Sequence, residues 1–107
     1  MEWSVKFLDD DVKAELDEQP GDVRANFLKI VALIVELGLQ GLPAKYLAHV
    51  EGKIWEMRMR GKDGIARALY VTASGKRVVV LRVFTKKTQK TPRREIDLAL
   101  ERAKEVE

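Results

Sequence analysis

The chain of 107 residues carries 20 Lys/Arg against 17 Asp/Glu and is 46% hydrophobic, the composition of one small, highly charged domain expected to span residues 1–107. Cysteine is absent, which excludes disulfides, thiol catalysis and thiolate metal sites and fits a cytoplasmic location. No apolar run reaches 18 residues, so no membrane span is expected, and "MEWSVKFLDDD" lacks the basic-then-apolar pattern of a secretory signal.

Charge is distributed in blocks. Residues 1–44 hold 4 Lys/Arg against 9 Asp/Glu, residues 45–94 hold 14 against 3, and residues 95–107 hold 2 against 5. The middle block, at +11, is a candidate footprint for phosphates, unless its cations only decorate solvated strand faces.

In chain order, "WSVKFL" (3–8) alternates as a first strand, with Trp3, Val5 and Phe7 on one side. Asp9, Asp10 and Asp11 supply an N-cap and favourable charge for a helix to about Glu18, which Pro20 and Gly21 end. Val23, Phe27, Ile30, Val31, Ile34 and Leu37 recur at helical spacing, and Gly38 suits the position just past that second helix. Residues 38–52, with three glycines and a proline, read as a connecting segment, long enough to be functional or partly ordered. Three strands follow. "IWEMRMR" (54–60) sets Trp55, Met57 and Met59 opposite Glu56, Arg58 and Arg60. "GKDG" turns into "IARALYVTA" (65–73), and "ASGK" into the nearly continuous β-branched "RVVVLRVFT" (77–85). Thr91 is an N-cap candidate with Pro92 at the first helical position of a last helix to about Val106. The order β-α-α-β-β-β-α is an α+β fold, an antiparallel meander packed against helices.

The chain holds no phosphate-binding glycine loop, no HExxH and no calcium loop, so neither a cofactor nor a metal site is expected. His49 is the single histidine, in what reads as a loop, with no signature of catalysis around it. Cations remain. Arg67 interrupts the otherwise apolar row of Ile65, Leu69 and Val71, where a buried charge requires a partner. Glu56 on the neighbouring strand is the obvious candidate, but one carboxylate cannot neutralise Arg58, Arg60, Arg67, Arg82, Lys86 and Lys87 together.

"YLAHVEGKIWEMRMRGKDGIARALYV" and "VVVLRVFTKKTQKTPRREIDLALERAKE" resemble the RelE/ParE superfamily of type II toxins, within it the phage-derived HigB-like branch. The carrying features are the E-x-R of "WEMR", the R-x-x-Y of "RALY", and "FTKKTQKTP" leading into an "EI…A" helix. The resemblance implies a small RelE-like fold and a toxin neutralised by an antitoxin, often of helix-turn-helix type. It also implies cleavage of mRNA on the translating ribosome, where a 2′-hydroxyl attacks the adjacent phosphorus and leaves a 2′,3′-cyclic phosphate.

On that resemblance Arg67 falls where the family places a phosphate-stabilising arginine, and Lys86 and Lys87 match its basic pair. Glu56 and Arg58 match its E-x-R, either as a supporting pair or with Glu56 as a base. Lys45, Lys53, Arg60, Arg82 and Lys90 are the candidate RNA contacts. Some relatives place a tyrosine or histidine after the basic pair; here that stretch is "TQKTP", so stacking on a base falls to Tyr70 or Trp55. The alternatives on the same scaffold are a non-enzymatic, ParE-like inhibitor of DNA gyrase and a degenerate toxin that only binds its antitoxin.

Overall fold

The computed structural model describes residues 2–86 and 90–106, and of Lys86 the backbone. Its elements are β1 (Ser4–Phe7), α1 (Asp10–Asp17), α2 (Gly21–Leu37), two 3-10 turns (Leu39–Gly41 and Ala44–Tyr46), β2 (Leu47–Glu51), β3 (Ile54–Gly61), β4 (Gly64–Ala73), β5 (Arg77–Lys86) and α3 (Arg93–Ala103). The fold is α+β, as expected, with one addition. The segment 38–52 is not only a connection: its second half is β2, joined to β3 by a tight turn at Gly52 and Lys53. Strands stand in the order β1-β5-β4-β3-β2, antiparallel throughout except that β1 runs parallel to β5. Among the described residues no helix is long and apolar enough to cross a membrane.

Strand alternation divides the sheet into two unlike faces. One presents Met57, Met59, Ala66, Ala68, Tyr70, Val78, Val80 and Val83 to the apolar sides of α1 and α2, where Val12, Leu16, Phe27, Ile30 and Ile34 are buried. The other presents Ile54, Leu69, Val71, Val79, Leu81 and Phe84 to α3, which contributes Ala99, Leu100 and Ala103. That second apolar patch covers only part of its face. Along β3 the same face continues as Glu56, Arg58 and Arg60, and along β4 it includes Arg67.

Helix ends follow local chemistry. Asp9 caps α1, its Oδ1 accepting from the Val12 N–H at 3.0 Å. Gly38 takes φ +78 to end α2, a conformation that favours glycine. Where β3 turns into β4, Asp22 at the start of α2 accepts from the Lys62 backbone N–H at 2.6 Å, and Gly61 has no room for a Cβ, which would lie 2.8 Å from Val23 Cγ2. The Lys62 N–H holds the Asp22 carboxyl below its usual range. The expected cap of α3 is different: Pro92 occupies the N-cap position with no side-chain cap bond, and the Thr91 hydroxyl is engaged elsewhere.

β1 pairs with β5 only from Arg77 to Val80, so the rest of that edge needs other partners. Side chains provide them. The Val83 N–H donates to Glu15 Oε1 at 3.1 Å, and Arg102 Nη1 donates to the Leu81 carbonyl at 2.7 Å. Opposite β4, the register shifts so that Leu81 is an extra residue between the pairs Tyr70–Val80 and Leu69–Arg82. Arg82 is thereby set between α1 and α3, with Nη1 3.1 Å from Glu15 Oε2 and Nε 2.8 Å from Glu95 Oε1. Arg102 Nη2 closes the group 3.0 Å from Glu15 Oε2. These bonds, Glu95 first, raise the Arg82 pKa further above its ordinary value.

Replacing Arg82 by Met leaves Glu15 and Glu95 facing each other with one cation fewer. The expected result is a loss of about 3–5 kcal/mol in urea denaturation. A loss below about 1 kcal/mol shows that this network does not hold α3 in place.

Candidate functional site

The open part of the α3-side face is built from adjacent registers of β3 and β4. Arg58 stands directly opposite Arg67, and Glu56 opposite Leu69. Glu56 and Arg67 are 4% and 7% exposed, so both charges are withdrawn from bulk water. Their side chains meet diagonally across the strands, Arg67 Nη1 lying 2.7 Å from Glu56 Oε2. That separation makes an ion pair, but the N–H is not aligned on the oxygen. Hence Arg67 Nη1 and Nε, Glu56 Oε2 and Arg58 Nε have no hydrogen-bond partner among the described residues. Burial pulls the Arg67 pKa down, Glu56 opposes this, and Arg58 and Arg60 add to it. An arginine starting this high stays cationic at any physiological pH.

The other oxygen of Glu56 is held from α3's side. Thr91 Oγ1 donates to Glu56 Oε1 at 3.0 Å, and Thr91 is itself buried. A groove of about 220 Å³ opens beside this bond, lined by Ala48, His49, Glu56, Arg58, Lys90 and Ile96 among others. Glu56, Arg58, Lys90 and Thr91 therefore meet at one concavity; Arg67 is paired with Glu56 but is not on its lining, and Arg60 is exposed further along β3. The backbone of Lys86 pairs with Ile65, two residues from Arg67 on β4. Lys87 lies outside the described residues.

Three expected contacts are placed elsewhere. Arg82 has its charge answered by Glu15 and Glu95 and is a clamp between helices, so it is removed from the cations that face an anion. Lys53 sits at the β2–β3 turn, five residues along the strand from Arg58, or about 17 Å. Lys45 lies in the second 3-10 turn at the sheet's edge, its Nζ 5.2 Å from the Tyr46 ring centre.

The expected stacking residues are also displaced. Tyr70 belongs to the opposite face, where it is 1% exposed in the core beneath α2, and burial raises its pKa to about 12. It neither reaches a base held at Arg67 nor ionises near neutrality. Trp55 is half exposed but points to Tyr70's side of the sheet, edge-on to His49 at 5.1 Å. His49, expected in a loop, is on β2 and donates from Nε2 to the Gly52 carbonyl at 2.7 Å. Thr91 and its bond to Glu56 were not anticipated, because a Thr-Pro before a helix has the pattern of a cap.

The raised Tyr70 pKa has a defined effect on stability. The unfolded chain releases the phenolic proton near pH 10 and the folded protein only near 12, so stability present below pH 10 is lost as pH rises towards 12. Tyr70→Phe removes this term. Compared with the variant, the wild type is expected to lose about 1.4 kcal/mol per pH unit across that window, measured by denaturation at stepped pH. Parallel curves for the two proteins contradict the burial described here.

The family model described as phage-derived protein Gp49-like matches residues 14–104. No curated protein matches by sequence. Among solved structures, a double mutant of the Escherichia coli toxin RelE in the free state is similar, with a TM-score of 0.67 and 17% identity, covering 95% of this chain and 98% of that one. The archaeal RelE–RelB complex from Pyrococcus horikoshii is also similar, with a TM-score of 0.58 and 20% identity, covering 81% of this chain and 98% of that one. The fold is therefore that of RelE, and the chain, matched over most of its length, belongs to the phage-derived Gp49-like family.

Proposed function

We propose that this protein is the toxin of a toxin–antitoxin pair and that it cleaves mRNA on the translating ribosome without a metal. The observation that carries the reading is the pair of opposed arginines, Arg58 and Arg67, with buried N–H groups that lack a hydrogen-bond partner among the described residues. Like charges placed directly opposite each other oppose folding, and a buried donor without an acceptor adds to the cost. An anion beside the partly exposed Arg58 relieves the repulsion between the two charges. A phosphodiester supplies one negative charge and acceptor oxygens, and its charge grows in the pentacoordinate transition state.

In this reading the 2′-oxygen attacks the adjacent phosphorus and the P–O5′ bond breaks, giving a 2′,3′-cyclic phosphate and a 5′-hydroxyl. Arg67 and Arg58 stabilise the phosphorane. Arg60 and Lys90 hold neighbouring phosphates, and Lys86 and Lys87 are assigned to phosphate contact and proton transfer on the resemblance alone. Glu56 acts as a support, since one oxygen takes the Thr91 hydroxyl and the other faces Arg67. The neutralising partner is an antitoxin of helix-turn-helix type; the RelE–RelB complex is a similar fold seen with its partner.

Mapping mRNA 5′ ends after brief expression tests the reading. The wild type is expected to create new ends within translated frames. Arg67→Ala and Arg58→Gln are expected to reduce them by about 10²–10³-fold. Arg58→Gln is the decisive variant, because Arg58 is only partly buried, whereas Arg67→Ala also strands Glu56 in the core. Arrested growth with intact message overturns the nuclease and points to the ParE-like, non-enzymatic alternative.

A further inference from the structure

The geometry points to Thr91 as a positioning residue for the cationic site: its hydroxyl orients Glu56, and through Glu56 it sets the direction of the Arg67 guanidinium. This rests on the nuclease reading above for its kinetic consequence, but the structural link stands on its own. Thr91 is 8% exposed and Glu56 4%, so water does not compete for the bond between them. The Thr91 backbone sits one residue ahead of the N-cap of α3, so the hydroxyl is presented from a rigid junction. Glu56 is fixed on a central stretch of β3, between β2 and β4.

A carboxylate held at one oxygen has a defined plane, and the free oxygen then has one place to be. Oε2 lies where it meets Arg67 Nη1 at 2.7 Å without accepting a well-aligned hydrogen bond. The pair therefore neutralises Arg67 in charge, while its Nε and Nη1 have no aligned partner among the described residues. A carboxylate free to turn about its side-chain axis could instead close a two-point contact with the guanidinium and change its direction. Thr91 prevents that rotation. It also ties the end of the lysine-bearing stretch, just after Lys90, to the strand that carries Arg58.

Thr91 touches no substrate in this scheme, so its loss is expected in turnover and not in binding. Thr91→Val keeps the shape and removes the donor; Thr91→Ser keeps the donor and removes a methyl group. With purified protein and programmed ribosomes, Thr91→Val is expected to lower kcat about 10–100-fold with KM within about twofold. Thr91→Ser is expected to restore kcat to within about threefold of the wild type. The same three proteins are compared by NMR at the Arg67 Nε–H resonance, assigned with Arg67→Lys. That signal is expected to move or broaden in Thr91→Val and to return in Thr91→Ser.

Equal kcat in the wild type and Thr91→Val overturns the assignment. So does equal impairment in both variants, since the loss then follows the methyl group and packing. If the wild type itself does not cleave, the nuclease reading fails, and the resonance decides alone. An Arg67 signal unmoved by Thr91→Val then overturns the link, and a signal moved by Val and restored by Ser upholds it.

Discussion

The contact between Arg67 and Glu56 governs how this face of the sheet is organised. Two opposite charges almost wholly removed from water, 2.7 Å apart, give little net stability, because desolvation offsets most of their attraction. Apolar residues at the same two positions would pack against α3 as Leu69 and Val71 do. Retaining an arginine here, with a second arginine directly across from it, is therefore an arrangement that folding alone does not favour. In the proposed reading it serves an anion, and an Arg67 guanidinium already almost wholly desolvated leaves less reorganisation for binding.

A second cluster of arginines shows what the first one lacks. Around Arg82, each guanidinium is met by a carboxylate with aligned hydrogen bonds, and Arg102 also reaches a backbone carbonyl left open where β1 ends. This cluster ties α1, β5 and α3 together and covers an exposed strand edge. The second cluster matches two arginines with two carboxylates, whereas the first sets Arg58, Arg60 and Arg67 around Glu56 alone. They differ in satisfaction: donors in one are used by the protein, whereas in the other Arg67 Nε and Nη1 and Arg58 Nε are buried without an aligned partner among the described residues. The latter is the one proposed to meet an anion.

Much of this was legible in the sequence. Alternation in "IWEMRMR" assigned each side chain of β3 to its face, and the need of Arg67 for a partner singled out Glu56. The periodicity of Val23, Phe27, Ile30 and Ile34 located α2 and its buried side. The rest depended on long-range geometry. "LAHVE" is too short and too mixed to announce a strand, and becomes one because β3 offers it an edge. Arg82 looks like another exposed cation until the extra residue in β5 turns it toward Glu15 and Glu95, residues 67 and 13 positions away in a chain whose pairing no local pattern reveals. Tyr70 and Arg67 are three apart, and that odd spacing alone places them on opposite faces; the strand period carried the answer against any joint role for them.

In the proposed reading, that division of faces limits which aromatic rings stand near the RNA. Every aromatic ring near an opening in the sheet, Trp55 with His49 and the buried Tyr70 beneath it, belongs to the α2 side or its edge. On the α3 side the described residues offer one aromatic, Phe84, which is 5% exposed and lies opposite Arg67 as part of the core under α3. The groove at Glu56, Arg58 and Lys90 does have one exposed ring on its lining, the His49 imidazole. Stacking is tolerant of sequence, whereas a small polar recess discriminates by hydrogen bonds. In the proposed reading, a translating ribosome, which presents mRNA in a fixed geometry, supplies the positioning that a groove of this size does not supply alone.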